Sequence, residues 1–526
     1  MNNWFNKNGI HLAIIAAFLV ICFVYFSPVL QGKAPAQSDV LQSKAMQKEI
    51  MEYKEKDGKG PLWTNQMFGG MPAYQIWVQY AYNGATYGIA LITKALPNPV
   101  GTVLLLLIGS YFLFIVLKIN PWLAAAGAIA FSFTTYNFVL IASGHSNKAL
   151  AIGFFAPIIA SIILTLRGKL ILGASLTALF LALEIRANHV QMTYYLFLSL
   201  LIFIGIEIYQ AYKNKTLPAL TKAIGFLAAA VVLAVMVNAS LLWTTTEYAA
   251  ETNRGKSNLT NAQGQQESMT KEYAYGWSQG VGESFTFLIP DLYGGASSID
   301  KMLKPESNFY KAISENLSQY PEQQQNQIVS FFGQNMNQYW GEKSFTQGGY
   351  YFGAIVCFLF VFGLFIVKNR LKWWILATTI LFMLLSFGKN FPLISDLFFN
   401  YFPLYNKFRA VESILAVVGL MVPILAFLAV KEAQEGNIDQ KTLVKKLTWS
   451  AGITGGFALL VALVPTLFFS FKASNHAEMS DTLSQGLQNP SAANSIISAV
   501  VKDRISIARA DAFRSFLFIV IGFGIV

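Results

Sequence analysis

Residues 10–30 read IHLAIIAAFLVICFVYFSPVL, without a single Asp, Glu, Lys or Arg. A helix needs about 20 apolar residues to cross a bilayer, and inside hydrocarbon it satisfies its own backbone. Comparable runs follow at 100–117, 122–141, 149–166, 170–183, 190–209, 223–242, 351–367, 373–387, 411–430 and 451–471. A last run starts near Phe513 and holds only about a dozen apolar residues before Val526, too few to cross, which predicts that the natural protein continues. Composition agrees with a lipid environment. Of 526 residues 54% are hydrophobic, 14% aromatic and 12% charged, with mean hydropathy +0.46. Soluble chains carry about 25% charged residues. The expectation is an all-α polytopic membrane protein, a bundle of about 11–12 transmembrane helices. The alternation over about ten residues that marks a membrane β-strand is missing from the sequence.

The net charge of +11 invites a nucleic-acid reading, but the basic residues sit in short clusters between apolar runs. That is how topology determinants are placed, so no nucleic-acid partner is expected and membrane lipids are. With the N-terminus inside, successive inner connections carry Lys118, then Arg167 and Lys169, then Lys213, Lys215 and Lys222. Lys368, Arg370 and Lys372 follow, then Lys431, Lys441, Lys445 and Lys446. Every inner connection is basic, which predicts a multi-pass membrane protein with a cytoplasmic N-terminus. Cys22 and Cys357 both lie in apolar runs, which argues against a disulfide or a metal site. Ala34-Pro35-Ala36 resembles a signal-peptidase site, yet the preceding run exceeds the usual 7–15 residues, so a retained anchor is expected.

The outward segments are then 31–99, 142–148, 184–189, 243–350, 388–410 and 472–512. In the first, Leu41, Ala45, Met46, Ile50, Met51 and Tyr53 fall at roughly helical spacing, predicting an amphipathic interfacial helix. After Lys59-Gly60-Pro61, the stretch Leu62-Trp63 through Met67-Phe68-Gly69-Gly70-Met71-Pro72 reads as a folded loop dipping back to the bilayer. No internal repeat is visible in the sequence, so the inverted-repeat signature of many transporters is missing.

The unusual polar residues fall on this outward side. Asp39 is the only acid between Met1 and Glu49. His145 and Lys148 share one short turn, and Arg186, His189 and Gln191 surround the next. Lys407 and Arg409 precede a later span. Ionisable residues gathered at the edge of a membrane domain point to function, against the plain alternative of solvated loops with snorkelling cations. Cations there suit the phosphate of a lipid carrier, a carboxylate suits an acceptor hydroxyl, and His titrates near neutral pH. Trp243, Tyr248, Tyr273, Tyr275, Trp277, Tyr293, Tyr339 and Trp340 supply rings for saccharide faces, or equally an aromatic belt. No Gly-x-x-x-x-Gly-Lys-Ser/Thr phosphate loop and no His/Cys spacing for a metal occur in the sequence.

Gln37-Ser38-Asp39-Val40, Pro61-Leu62-Trp63, Gly69-Gly70-Met71-Pro72, Gly144-His145-Ser146-Asn147-Lys148, Asn188-His189-Val190-Gln191 and Lys407-Phe408-Arg409 together resemble the YfhO family of bacterial membrane proteins, in the form common in Bacteroidetes-type bacteria. The likeness runs over essentially the whole chain. It implies a GT-C-like glycosyltransferase that moves a sugar from a polyprenyl-phosphate carrier to a cell-envelope glycan or lipid acceptor on the extracytoplasmic face. In that fold the first outward loop carries an acid, the place Asp39 takes as catalytic base. His145, Lys148, Arg186, His189, Gln191, Lys407 and Arg409 are then substrate- and phosphate-binding candidates. A divalent cation is the one cofactor this implies, and Asp39 lacks the second acid that usually adjoins it. The family's best-described members decorate teichoic acids, an acceptor that a Gram-negative relative would not have.

Two other readings stay open. A transporter or flippase for lipid-linked saccharides would place ionisable groups at mid-span, where the runs are apolar. An assembly protein would use its outer loops, such as 301–348 with Gln323-Gln324-Gln325, to bind a partner.

Overall fold

A computed structural model describes residues 2–77, 80, 82–255, 269–436 and 438–526. The part of the 243–350 connection at 256–268 lies outside the described residues. Helices dominate, and the described residues hold one two-residue antiparallel pair, Trp63–Thr64 against Met71–Pro72. Among the described residues six helices are long and apolar enough to cross a membrane: Asn8–Tyr25, Ser146–Leu166, Val190–Lys213, Leu217–Val237, Val411–Gln434 and Gln440–Leu463. A bent pair, Pro121–Ser132 and Thr135–Ser143, makes a seventh if counted as one span. Val100–Val116, Ala354–Ile366 and Leu371–Ser386 are shorter apolar helices. The chain is thus an all-α membrane protein by its helices. It divides into two compact units, residues 1–133 with 137–270, and residues 134–136 with 271–526.

In the first unit Val100–Val116 packs against Asn2–Tyr25, Pro121–Ser132 and Phe155–Leu166. Small residues set the spacing. A Cβ on Gly109 would stand 3.0 Å from the carbonyl oxygen of Gly153, and one on Gly153 would stand 2.7 Å from Leu105 Cδ2. Close backbone approach of this kind replaces the hydrophobic drive that lipid cannot give.

Two helices in this unit are interrupted, and a buried Asn secures each interruption. The expected span 122–141 bends by 47° after Ser132. Asn137 Nδ2 donates to the freed carbonyls of Phe131 (3.1 Å) and Ser132 (3.3 Å). The run 223–242 becomes Leu217–Val237 and Ala239–Ala249, divided at Asn238. Its Nδ2 donates to Ala182 O and Ala234 O at 3.0 Å each, while its Oδ1 accepts from Asn83 Nδ2 at 2.8 Å. An unpaired backbone group in hydrocarbon is costly, so such breaks occur where side chains satisfy them.

In the second unit Val411–Gln434 is the central helix, 94% buried, flanked by Ala354–Ile366 and Leu371–Ser386. Gly363 lets Leu425 approach, since a Cβ there would meet Leu425 Cγ at 2.8 Å. The segment 472–512, read from the sequence as a connection, is mostly helical. His476–Leu487 leads into Pro490–Ile525, a 36-residue helix opened by Asn489, whose side chain accepts from Ala492 N. The short apolar run at 513–526 is the tail of this helix. Its first half joins Asn308–Leu317, Glu322–Asn335 and His476–Leu487 around Phe309, Leu317, Phe332, Leu483, Ile496 and Val500. Asp503 fixes this helical cap by accepting from Asn308 N, Asn308 Nδ2 and Phe309 N, each at 2.8 Å. Arg504, 1% exposed, donates to the carbonyl oxygens of Asn337, Tyr339 and Phe471.

Candidate functional site

The candidate site of the first unit forms where the start of Ser38–Met46 meets the turn after Thr135–Ser143. Gln37, 4% exposed, donates from Nε2 to the carbonyl of Ile141 and accepts from Asn98 Nδ2. Gly144 closes the approach. Its φ is +88°, and a Cβ there would stand 3.1 Å from Val40 Cγ2, 3.2 Å from Gln37 Cβ and 3.3 Å from Val40 N. Both the left-handed backbone and the missing side chain favour glycine. The result brings Asp39 Oδ2 to 2.9 Å from His145 Nε2, with both side chains about half exposed. A half-solvated pair is poised for exchange with a ligand and adds little to stability.

Behind this pair stands His189, which precedes the helix Val190–Lys213. Its Nδ1 is buried without a hydrogen-bond partner. Burial, with the nearby charges of Lys148 and His145, pushes His189 down to about 3, so its ring is neutral at physiological pH. The structure thus pairs Asp39 with His145 and sets Lys148 and His145 near His189. Gln191 Nε2 instead donates to Tyr195 Oη at 2.9 Å, and Arg186 Nε donates to Thr86 Oγ1 at 2.8 Å. Glu184, fully buried, accepts from Thr193 Oγ1 at 2.8 and 3.0 Å.

Lys407 and Arg409 belong to the second unit. Lys407 ends the turn Tyr405–Lys407, and Arg409 donates to Tyr273 Oη at 2.6 Å while lying over that ring. This unit also holds a buried polar cluster that sequence reasoning missed. Lys343 pairs with Glu412 at 2.7 Å and faces the Tyr350 ring. Glu283 accepts from Gly280 N and from Tyr339 Oη, both at 2.7 Å. Burial lowers Lys343, but Glu412 and Glu283 outweigh it and hold the ammonium above its ordinary value. Burial and Glu283 push the Tyr339 phenol well up. The available signal was local: Glu283 follows Gly280 and Gly282, and a Cβ on Gly280 or Gly341 would crowd its carboxylate.

The donor set at Asp39 does not fit the implied divalent cation. Asp39 and His145 engage each other, and among the described residues no group of three or more His, Cys, Asp or Glu can hold a metal ion. Hard cations take more oxygen ligands than one carboxylate offers. Comparison with known proteins returned nothing: no family model, no curated protein and no solved structure matches the chain.

Proposed function

We propose that this chain is a glycosyltransferase of a bacterial inner membrane, with its N-terminus cytoplasmic, working on the extracytoplasmic face. It takes a sugar from a polyprenyl-phosphate carrier and adds it to a cell-envelope glycan or lipid acceptor. The observation that carries this reading is the half-exposed Asp39–His145 pair, 2.9 Å apart, with Lys148 close by. The motif likeness to the YfhO family supports it.

The chemistry needs a base and a cation, and these residues supply both. The acceptor hydroxyl oxygen forms a bond to the anomeric carbon as the bond from that carbon to the carrier phosphate breaks. The bonding electrons leave with the phosphate, and the hydroxyl proton passes to the Asp39–His145 pair. Lys148 balances the charge gathering on the departing phosphate. Neutral, buried His189 backs the pair without adding a second positive charge. General-base catalysis contributes about 10²–10⁴-fold. Asp39→Asn and His145→Gln in purified, folded protein are expected to lower transfer by that order, and unchanged sugar transfer by Asp39→Asn overturns the reading.

A second reading rests on the 47° break between Pro121–Ser132 and Thr135–Ser143. Broken helices mark substrate paths in transporters, so this feature favours a flippase for lipid-linked saccharides. Proteoliposomes separate the two, since a flippase moves the intact carrier-linked sugar across the bilayer without transferring it.

A further inference from the structure

The loop that carries Asp39 also holds a small hairpin with an apolar tip. Leu62 is 76% exposed, Trp63 55% and Phe68 90%. Phe68 adopts φ +55°, a left-handed turn that places a bulky ring at the apex next to Gly69 and Gly70. Gly70 must lack a side chain, because a Cβ there would stand 2.8 Å from the Trp63 indole.

The hairpin is braced from below by one carboxylate. Glu49 accepts from Thr64 Oγ1, from Asn65 N at 3.0 Å and from Gln66 N at 3.2 Å. The Thr64 bond, with the two backbone bonds, holds Glu49 below its ordinary value. The far end of the loop is tied to helices that enter the membrane. Tyr80 Oη bonds Thr244 Oγ1 at 2.8 Å, and Asn83 bonds Asn238 at the end of Leu217–Val237. Gln37 ties the near end to Ile141. A loop secured at both ends to span termini lies at the level of the headgroups, and an apolar tip there has lipid within reach. Charge does not supply the attraction, because residues 33–59 carry nearly equal numbers of Lys and Asp or Glu. Aromatic side chains at headgroup depth do.

From this we infer that the 62–72 hairpin is an interfacial foot, inserting Phe68, Trp63 and Leu62 into the bilayer surface and fixing the depth of the Asp39 loop. The inference stands apart from the transferase reading, since it concerns where the loop sits and not what it catalyses. To test it, the full chain with Cys22→Ala and Cys357→Ala carries an environment-sensitive fluorophore at Phe68→Cys or, as a control on the same loop, at Glu55→Cys. Both are reconstituted into phosphatidylethanolamine–phosphatidylglycerol vesicles bearing headgroup-depth spin labels. The label at 68 is expected to shift to the blue and to be quenched several-fold more strongly than the label at 55. Phe68→Asn keeps the turn, because Asn accepts the left-handed region, and should reduce quenching of a label at Leu62→Cys. Equal quenching at 68 and 55 overturns the inference. So does a blue shift at 68 without lipid quenching, which means the tip sits against protein.

Discussion

Gly144→Ala probes how the candidate site is assembled. The methyl group forces an L-residue into φ near +88°, which costs about 1–2 kcal/mol. It also meets Val40 Cγ2, Gln37 Cβ and Val40 N at 3.1–3.3 Å, each tighter than ordinary contact. Two of these atoms belong to the backbone or its first carbon, so relief must move the start of Ser38–Met46 and carry Asp39 away from His145. The methyl restricts the unfolded chain in the opposite sense by about 0.4–1 kcal/mol. With the tight contacts adding to the cost, a net loss of about 1–2 kcal/mol corresponds to a roughly 5–30-fold rise in local opening. Hydrogen exchange of amides 38–46 reads this directly, and Gly144→Asn, which tolerates the backbone but not the contacts, should fall between. In the helix Val190–Lys213, Gly205→Ala meets nothing within 4 Å and should leave those amides unchanged. Exchange at 38–46 that stays within about twofold of wild type in Gly144→Ala refutes the claim that this glycine sets the Asp39–His145 distance.

Other outcomes follow from the same contacts. Asp503→Ala strips the donors of Asn308 and Phe309 of their acceptor and should destabilise the helical cap by about 2–4 kcal/mol, with Asp503→Asn costing about half, read as faster proteolysis within 300–336. Lys343→Met leaves Glu412 without its cation and should cost about 3–5 kcal/mol, less when Glu412→Gln is combined with it, by thermal melts. Because Lys343 is raised in the folded protein, its contribution is present below the ordinary lysine value of 10.5 and is lost as pH rises through the raised value, so melts above that pH should fall more steeply in wild type than in Lys343→Met. His189 is depressed from 6.5 to about 3, so the unfolded chain takes up a proton that the folded one refuses. Stability is therefore lost as pH falls from 6.5 toward 3, by up to about 1.4 kcal/mol per pH unit, and His189→Gln should flatten that slope.

The apolar runs made the membrane class legible, because twenty uncharged residues leave few alternatives. The breaks at Phe133 and Asn238 were not legible, since neither run contains Pro or Gly there; Asn137 satisfies the first from within its own run, and Asn238 needs the distant partners Asn83 and Ala182. Helix Pro490–Ile525 was hidden by its polar first half, although Ala493, Ile496, Ile497, Val500 and Arg504 recur at helical spacing on its buried side. At the site the residue types were legible and their pairing was not. Asp39 meets His145 only because Gln37 and Gly144 bring two distant segments together. The Lys343–Glu412 pair escaped because Lys343 looks like an ordinary loop charge and Glu412 like a charge at the edge of a span until burial makes them depend on each other.

Pro490–Ile525 runs for 36 residues, which makes a rod of about 54 Å. Its upper half is gripped through Asp503 and Arg504, while its lower half lies along Gln440–Leu463 at Gly455 and beside Ile355 at Gly522. With no joint between them, the cap cannot rock without swinging Phe513–Ile525 through the bilayer like the short arm of a lever. Weight placed on the exposed amides of Gln323, Asn326 or Gln327 is therefore passed down the rod to its seat beside Gly455 and Ile355.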